Sequence, residues 1–174
     1  VTSVQQGKEL NFGAKHLILA IPPRLIAKYL TPQQYMSEKI TNDLHSQQTW
    51  MSGQAKFVAT YRNPFWREKG LSGQAFSQVG PMVEIHDASS DTDAGFALFG
   101  FIGLQPDIRV QLSVHQLTSQ CVKQLGEIFG PEALGAEIRH LKDWAQDRWV
   151  ATAQDVMEVP RHATFPMLQH KKEL

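Results

Sequence analysis

Ala55-Lys56-Phe57-Val58-Ala59-Thr60-Tyr61 alternates as a β-strand does, with Phe57, Ala59 and Tyr61 on one face and Lys56, Val58 and Thr60 on the other. The strand leads through a turn at Asn63-Pro64 and past Phe65-Trp66 to Gly70. Further short strands are predicted near residues 71–77, 82–86 and 95–103, separated by polar turns such as Ser89-Ser90-Asp91-Thr92-Asp93. Closely spaced strands with short loops predict an antiparallel sheet. Downstream, residues 113–129 read as the clearest helix. Ser113 and Gln116 make a capping box, Val114, Leu117, Cys121, Leu125 and Ile128 form one stripe, and Gly130-Pro131 stops it. A strand follows around 137–141, then a tryptophan-bearing segment at 143–149, and after Ala153 the chain shows no clear period. The fold class this predicts is α+β, an antiparallel-rich mixed sheet with helices on one side.

Upstream, Val1-Thr2-Ser3-Val4 and His16-Leu17-Ile18-Leu19-Ala20-Ile21 read as two strands around a turn at Gly7. The second run is apolar on consecutive residues up to Pro22-Pro23, the pattern of a central parallel strand covered on both faces. One such strand cannot make a sheet alone, so the run implies neighbours outside this sequence. Thr31-Pro32-Gln33-Gln34 predicts a helix start, with Thr31 as cap, Pro32 at the first helical position and Gln34 completing a capping box. That helix is expected to run to about Gln48.

The 174 residues suit one domain, with 42% hydrophobic and 20% charged residues. Lys+Arg and Asp+Glu both total 17, so no basic surplus points to nucleic acid or an anionic membrane. A neutral chain has little charge repulsion to oppose homo-oligomers. Cys121 is the single cysteine, set at helical spacing among apolar residues where a buried, inert thiol is expected. The apolar runs at 17–23 and 96–104 are too short to span a bilayer, and a cytoplasmic protein is expected.

Seven histidines show no metal-ligand spacing, so no metal site is expected. There is no G-x-S-x-G elbow, no phosphate-binding G-x-x-x-x-G-K-[ST] loop and no G-x-G-x-x-G. Lys56 is the one residue in an unusual setting. An amine on an otherwise apolar strand is either a side chain that snorkels to water or a tuned catalytic group, and the residues alone leave both open. Trp50, Trp66, Trp144 and Trp149 are likewise ambiguous, since tryptophans are core or interface anchors more often than cofactor contacts.

Several segments read together resemble the flavin monoamine oxidase family. They are Leu17 to Pro23, the run from Lys56 through Pro64-Phe65-Trp66-Arg67-Glu68 to Gly73, Phe99-Gly100-Phe101-Ile102-Gly103, Phe129-Gly130-Pro131-Glu132-Ala133-Leu134, and Lys142-Asp143-Trp144. Their order and spacing are the family's from Val1 to Trp149. The resemblance implies an FAD enzyme that oxidises a small-molecule amine to an imine and passes a hydride equivalent to the flavin. It implies that Lys56 holds a water near the reactive edge of the flavin and supports reoxidation, and that Trp144 lies against the flavin. It places Val1, Pro22 and Pro23 on the cofactor side.

Two departures stand out. The cysteine that links some members covalently to FAD has no counterpart in Val150-Ala151-Thr152-Ala153-Gln154, so a non-covalent flavin is expected. An aromatic residue that cages the substrate amine in those members falls near Gln154, which makes Gln154 a substrate-binding candidate. The sequence therefore reads as an internal piece. Residues 1–23 are a remnant of FAD-binding strands, 24–153 a substrate-domain-like region, and 154–174 an irregular tail. Alone it is expected to be inactive. The alternatives are a non-catalytic binding module that kept the substrate-domain fold and one half of a split flavoenzyme.

Overall fold

The computed structural model describes residues 2–30, 36–91, 95–159 and 161. Its strands are β1 (Thr2–Gln5), β2 (Lys8–Asn11), β3 (Ala55–Tyr61), β4 (Ala75–Phe76), β5 (Met82–Asp87), β6 (Phe96–Ile102) and β7 (Ile138–Asp143). Its helices are α1 (Pro23–Tyr29), α2 (Glu38–Ser46), α3 (Phe65–Glu68), α4 (Pro106–Arg109), α5 (Val114–Phe129) and α6 (Ala153–Met157). The main sheet has the order β4-β5-β6-β3-β7, and each pairing in it is antiparallel. The α+β class with helices against one sheet face is therefore the observed one.

β3 buries the face its alternation sets aside. Phe57, Ala59 and Tyr61 join Met82, Ile85, Leu98 and Ile102 from β5 and β6 in one core cluster, closed by Leu117, Cys121, Val122, Leu125 and Phe129 of α5. Helix α5 carries the expected capping box, and Gly130 ends it. Val114 and Ile128 share the stripe but lie in the terminal turns, where they are exposed. Trp66 is fully buried, edge-on to Phe65 and Tyr61 at 5.0 and 5.6 Å between centroids, and its indole N–H donates to Asp87 at 2.8 Å. Gly73 has φ +75°, and a Cβ there would meet the Trp66 ring at 3.0 Å, so this position requires glycine.

Four expectations are corrected. The strand partner of β1 is β2, joined through Gln6 and Gly7, both at positive φ as a tight hairpin turn requires. Residues 16–21 are not a strand: among the described residues nothing pairs with them, and Leu17, Ile18 and Ile21 are exposed. No ladder means no strand, however apolar the run. Helix α2 begins at Glu38, because Ser37 is extended and its hydroxyl accepts from the Ile40 amide at 3.3 Å. That break rules out one helix across 31–48; the expected start at Thr31 to Gln34 lies outside the described residues. Lastly, the chain after Ala153 is not wholly irregular, since Thr152 and Asp155 cap α6 reciprocally.

Helix α6 is tied to α1 by charge. Arg24 donates to Asp155 at 2.9 Å and to Glu158 at 2.7 Å, and both Arg24 and Asp155 are buried. Asp155 also accepts from the Thr49 and Thr152 amides at 2.9 Å. Breaking one side of such a pair strands a buried charge. Asp155→Ala is expected to lower the unfolding free energy by about 3–5 kcal/mol, read from urea midpoints. A wild-type midpoint would show that this pair does not hold the two helices.

Candidate functional site

The face of the sheet opposite the core is built by register. Lys56 stands opposite Phe101 on one side and Lys142 on the other, and Val58 lies between Phe99 and His140. Farther out, Glu84 pairs with Phe101 and His86 with Phe99. The Lys56 ammonium lies 4.4 Å from the Phe99 ring centroid and 4.7 Å from that of Phe101, two rings set edge to face at 5.6 Å. Such contacts hold a cation by the ring quadrupole. His86 stacks on Phe99 at 5.2 Å, and its Nε2 lies 2.7 Å from a Glu84 oxygen. Lys56, Val58, Glu84, His86, Phe99, Phe101 and Lys142 are half-buried by their own chain, whereas His140 is exposed and Phe76 projects from β4 with 78% exposure. The face joins aromatic rings to the Lys56 ammonium, suited to a planar ring or a hydrocarbon stem.

Trp144 follows β7 directly and is half-buried, with its amide donating to the Gln54 carbonyl at 3.0 Å. Lys56 and Trp144 thus lie at the same end of two paired strands. Pro22 and Pro23 sit elsewhere, opening α1, whose apolar residues form a separate small cluster with those of α2. Gln154 is exposed on α6 and donates to Glu158 at 2.6 Å. Through the neighbouring Arg24–Asp155 pair, Gln154 joins the diproline group. The candidates therefore fall into two groups, Lys56 with Trp144 and Pro22, Pro23 with Gln154. Val1 lies outside the described residues.

Residues 1–172 match the family described as flavin containing amine oxidoreductase. The chain belongs to this family. Similar proteins include the probable flavin-containing monoamine oxidase A of Dictyostelium discoideum, 28% identical, with 80% of this chain and 30% of the relative covered. Putrescine oxidase of Kocuria rosea is 26% identical, with 83% and 30% covered. Among solved structures, cyclohexylamine oxidase from Brevibacterium oxydans superposes with a TM-score of 0.63 at 25% identity, covering 86% of this chain and 32% of that one. The chain spans about 30% of the length of the curated relatives it matches, and so corresponds to part of a flavin amine oxidase.

Within this amine oxidoreductase chain, sequence reasoning missed the groups that hold the site in place. Phe99 and Phe101 stood in a segment that carried the family resemblance, but their place under Lys56 comes from the strand register. Arg109 and Asp143 were not legible as a pair, because a buried ion pair between distant residues leaves no periodic mark. Burial raises the Asp143 carboxyl, but hydrogen bonds from Arg109 and Gln146 outweigh it and hold the group below its ordinary value. Asp87 behaves alike: burial opposes its ionisation, and donors from Arg67, Ser89 and Trp66 hold it well below the carboxylate range. Burial pushes the Cys121 thiol up to about 12, as suits a packing residue. No helix among the described residues is long and apolar enough to cross a membrane.

Both aspartates ionise more readily folded than unfolded, where the value is about 3.9. Their contribution is complete above that pH and is lost as pH falls through the folded values. Stability is therefore expected to decline with acidification below about pH 4, and Asp143→Asn is expected to flatten that decline. Urea midpoints measured against pH test this, and an unchanged acid slope in the variant would contradict it.

Proposed function

We propose that this chain is the substrate-side portion of a flavin-dependent amine oxidase that converts a small-molecule amine to an imine, and that it is inactive by itself. The observation that carries the reading is the Lys56 ammonium seated over Phe99 and Phe101 on the uncovered sheet face, beside Trp144, inside a family match that spans the chain. FAD, when bound, accepts the hydride from the amine carbon. The residues present fit one side of that cofactor: a pair of aromatic rings, an ammonium seated over them and a half-buried indole. They do not include a phosphate-cradling G-x-G-x-x-G.

In this reading Lys56 would hold a water at the reactive edge of the flavin, and Trp144 would lie against its ring. Pro22 and Pro23, with Val1, belong to the cofactor side, and Gln154 faces the substrate amine. The flavin is held without a covalent link, a reading supported by Val150 to Gln154 containing no cysteine. Residues 1–23 are the remnant of the flavin domain and 24–153 the substrate-domain region. The single thiol, buried at Cys121, suits a reducing, cytoplasmic setting. Monoamine, putrescine and cyclohexylamine oxidases are among the similar proteins, which supports an amine as the substrate class.

Two experiments test the reading. In the full-length protein carrying this chain, Lys56→Met is expected to slow flavin reoxidation by oxygen by roughly 100-fold, the scale of one positioned proton-handling group, with flavin reduction by amine unchanged. Equal reoxidation rates would remove Lys56 from the mechanism. The chain purified alone is expected to show no flavin absorbance and no amine-dependent peroxide, and to self-associate through Leu17, Ile18 and Ile21 as concentration rises. Stoichiometric bound flavin, or a monomer at all concentrations in sedimentation, would overturn the corresponding part.

A further inference from the structure

Arg109 is only 3% exposed, yet its guanidinium reaches three separate segments. Its Nε donates to Asp143 Oδ2 at 2.8 Å and its Nη2 to Asp143 Oδ1 at 2.7 Å, a two-point fork. Nη2 also donates to the Gly53 carbonyl at 2.8 Å, and Nη1 to the Leu104 carbonyl at 2.6 Å. Asp143 in turn accepts from the Ala145 amide at 3.1 Å and from the Gln146 side chain at 3.0 Å. The carboxylate thereby fixes the turn on both sides of Trp144. The Gly53 carbonyl lies three residues before Lys56, in the segment that leads into β3. One guanidinium thus holds the approach to the Lys56 strand and the turn that carries Trp144.

We infer that Arg109 is a positioning residue that sets Trp144 relative to Lys56 and so determines how this chain meets the flavin ring. The inference rests on the proposed reading that Trp144 lies against the flavin. The chemistry of the fork argues for it. A planar guanidinium satisfies a carboxylate at two points while two further N–H groups reach carbonyls in fixed directions. Lysine offers a point charge, which can neutralise Asp143 without reproducing those directions. Charge alone would be met by either side chain; orientation needs arginine.

The test is a double-mutant cycle in the flavin-loaded full-length protein, reading the flavin dissociation constant and the quenching of flavin fluorescence, with a thermal melt for folding. Trp144→Phe is expected to weaken flavin binding about three- to tenfold, the worth of one aromatic contact, and to relieve quenching. Arg109→Lys is expected to reproduce both changes, and the double variant to be no worse than Trp144→Phe alone. If Arg109→Lys does not fold, Asp143→Asn, which keeps the side-chain shape, is measured in its place. A lowered melting temperature with unchanged flavin fluorescence, or fully additive losses in the double variant, overturns the inference. Insensitivity to Trp144→Phe instead overturns the placement of Trp144, and the inference with it.

Discussion

Strand β3 has two faces with opposite obligations, and the remainder of the structure follows from keeping them apart. Phe57, Ala59 and Tyr61 need a helix over them, which α5 supplies; Lys56, Val58 and Thr60 must not be covered in the same way if the lysine is to act. A shift of register by one residue would exchange the faces, sending the ammonium into the core and the Phe57 ring outward. Pairing β3 between β6 and β7 prevents this, because both neighbours bring their own alternation into agreement. Phe99 and Phe101 then arrive under Lys56 as a consequence of the same register that buries Leu98 and Ile102. The candidate site and the core are two sides of one ladder.

Two buried arginines hold the segments that the sheet does not. Arg24 joins α1 to α6, and Arg109 joins the end of β7 to the segments at Gly53 and Leu104. Burying an ion pair costs desolvation energy that its attraction scarcely recovers, so neither arginine is there chiefly to add stability. Arg24 instead meets Asp155, Glu158 and the His45 carbonyl, and Arg109 meets Asp143 and two carbonyls, each in fixed directions, which fixes geometry. Both act on segments that carry candidate site residues: Pro22, Pro23 and Gln154 beside Arg24, Trp144 beside Arg109.

What the sequence made legible follows the range of the interactions. The α5 capping box, its glycine stop and the alternation of β3 are local, and the residues that specify them lie within a few positions of one another. The apolar run at 16–21 has the composition of a buried strand, but a strand is completed by partners elsewhere in the chain, and none of the described residues supplies one. The single helix expected to run to about Gln48 is interrupted at Ser37, whose hydroxyl makes the observed cap of α2. The Arg109–Asp143 fork spans 34 positions, and no periodic pattern records it.

In the proposed reading, the separation of the candidates into two groups bears on what the rest of the protein would supply. Lys56 and Trp144 share a sheet end, while Pro22, Pro23 and Gln154 gather around the Arg24 cluster on helices with their own small core. A flavin long enough to touch both groups would have to be held by something between them, since neither provides a cradle for its phosphates. The exposed Leu17, Ile18 and Ile21 precede the second group immediately and have the composition of a strand awaiting a sheet. An added parallel sheet against that run would cover its apolar residues and supply the phosphate site in one step, because in such sheets the dinucleotide binds at the strand ends. In the proposed reading, the remaining flavin-binding structure joins at the part of the sequence whose strand did not form, and its reactive ring reaches the lysine face.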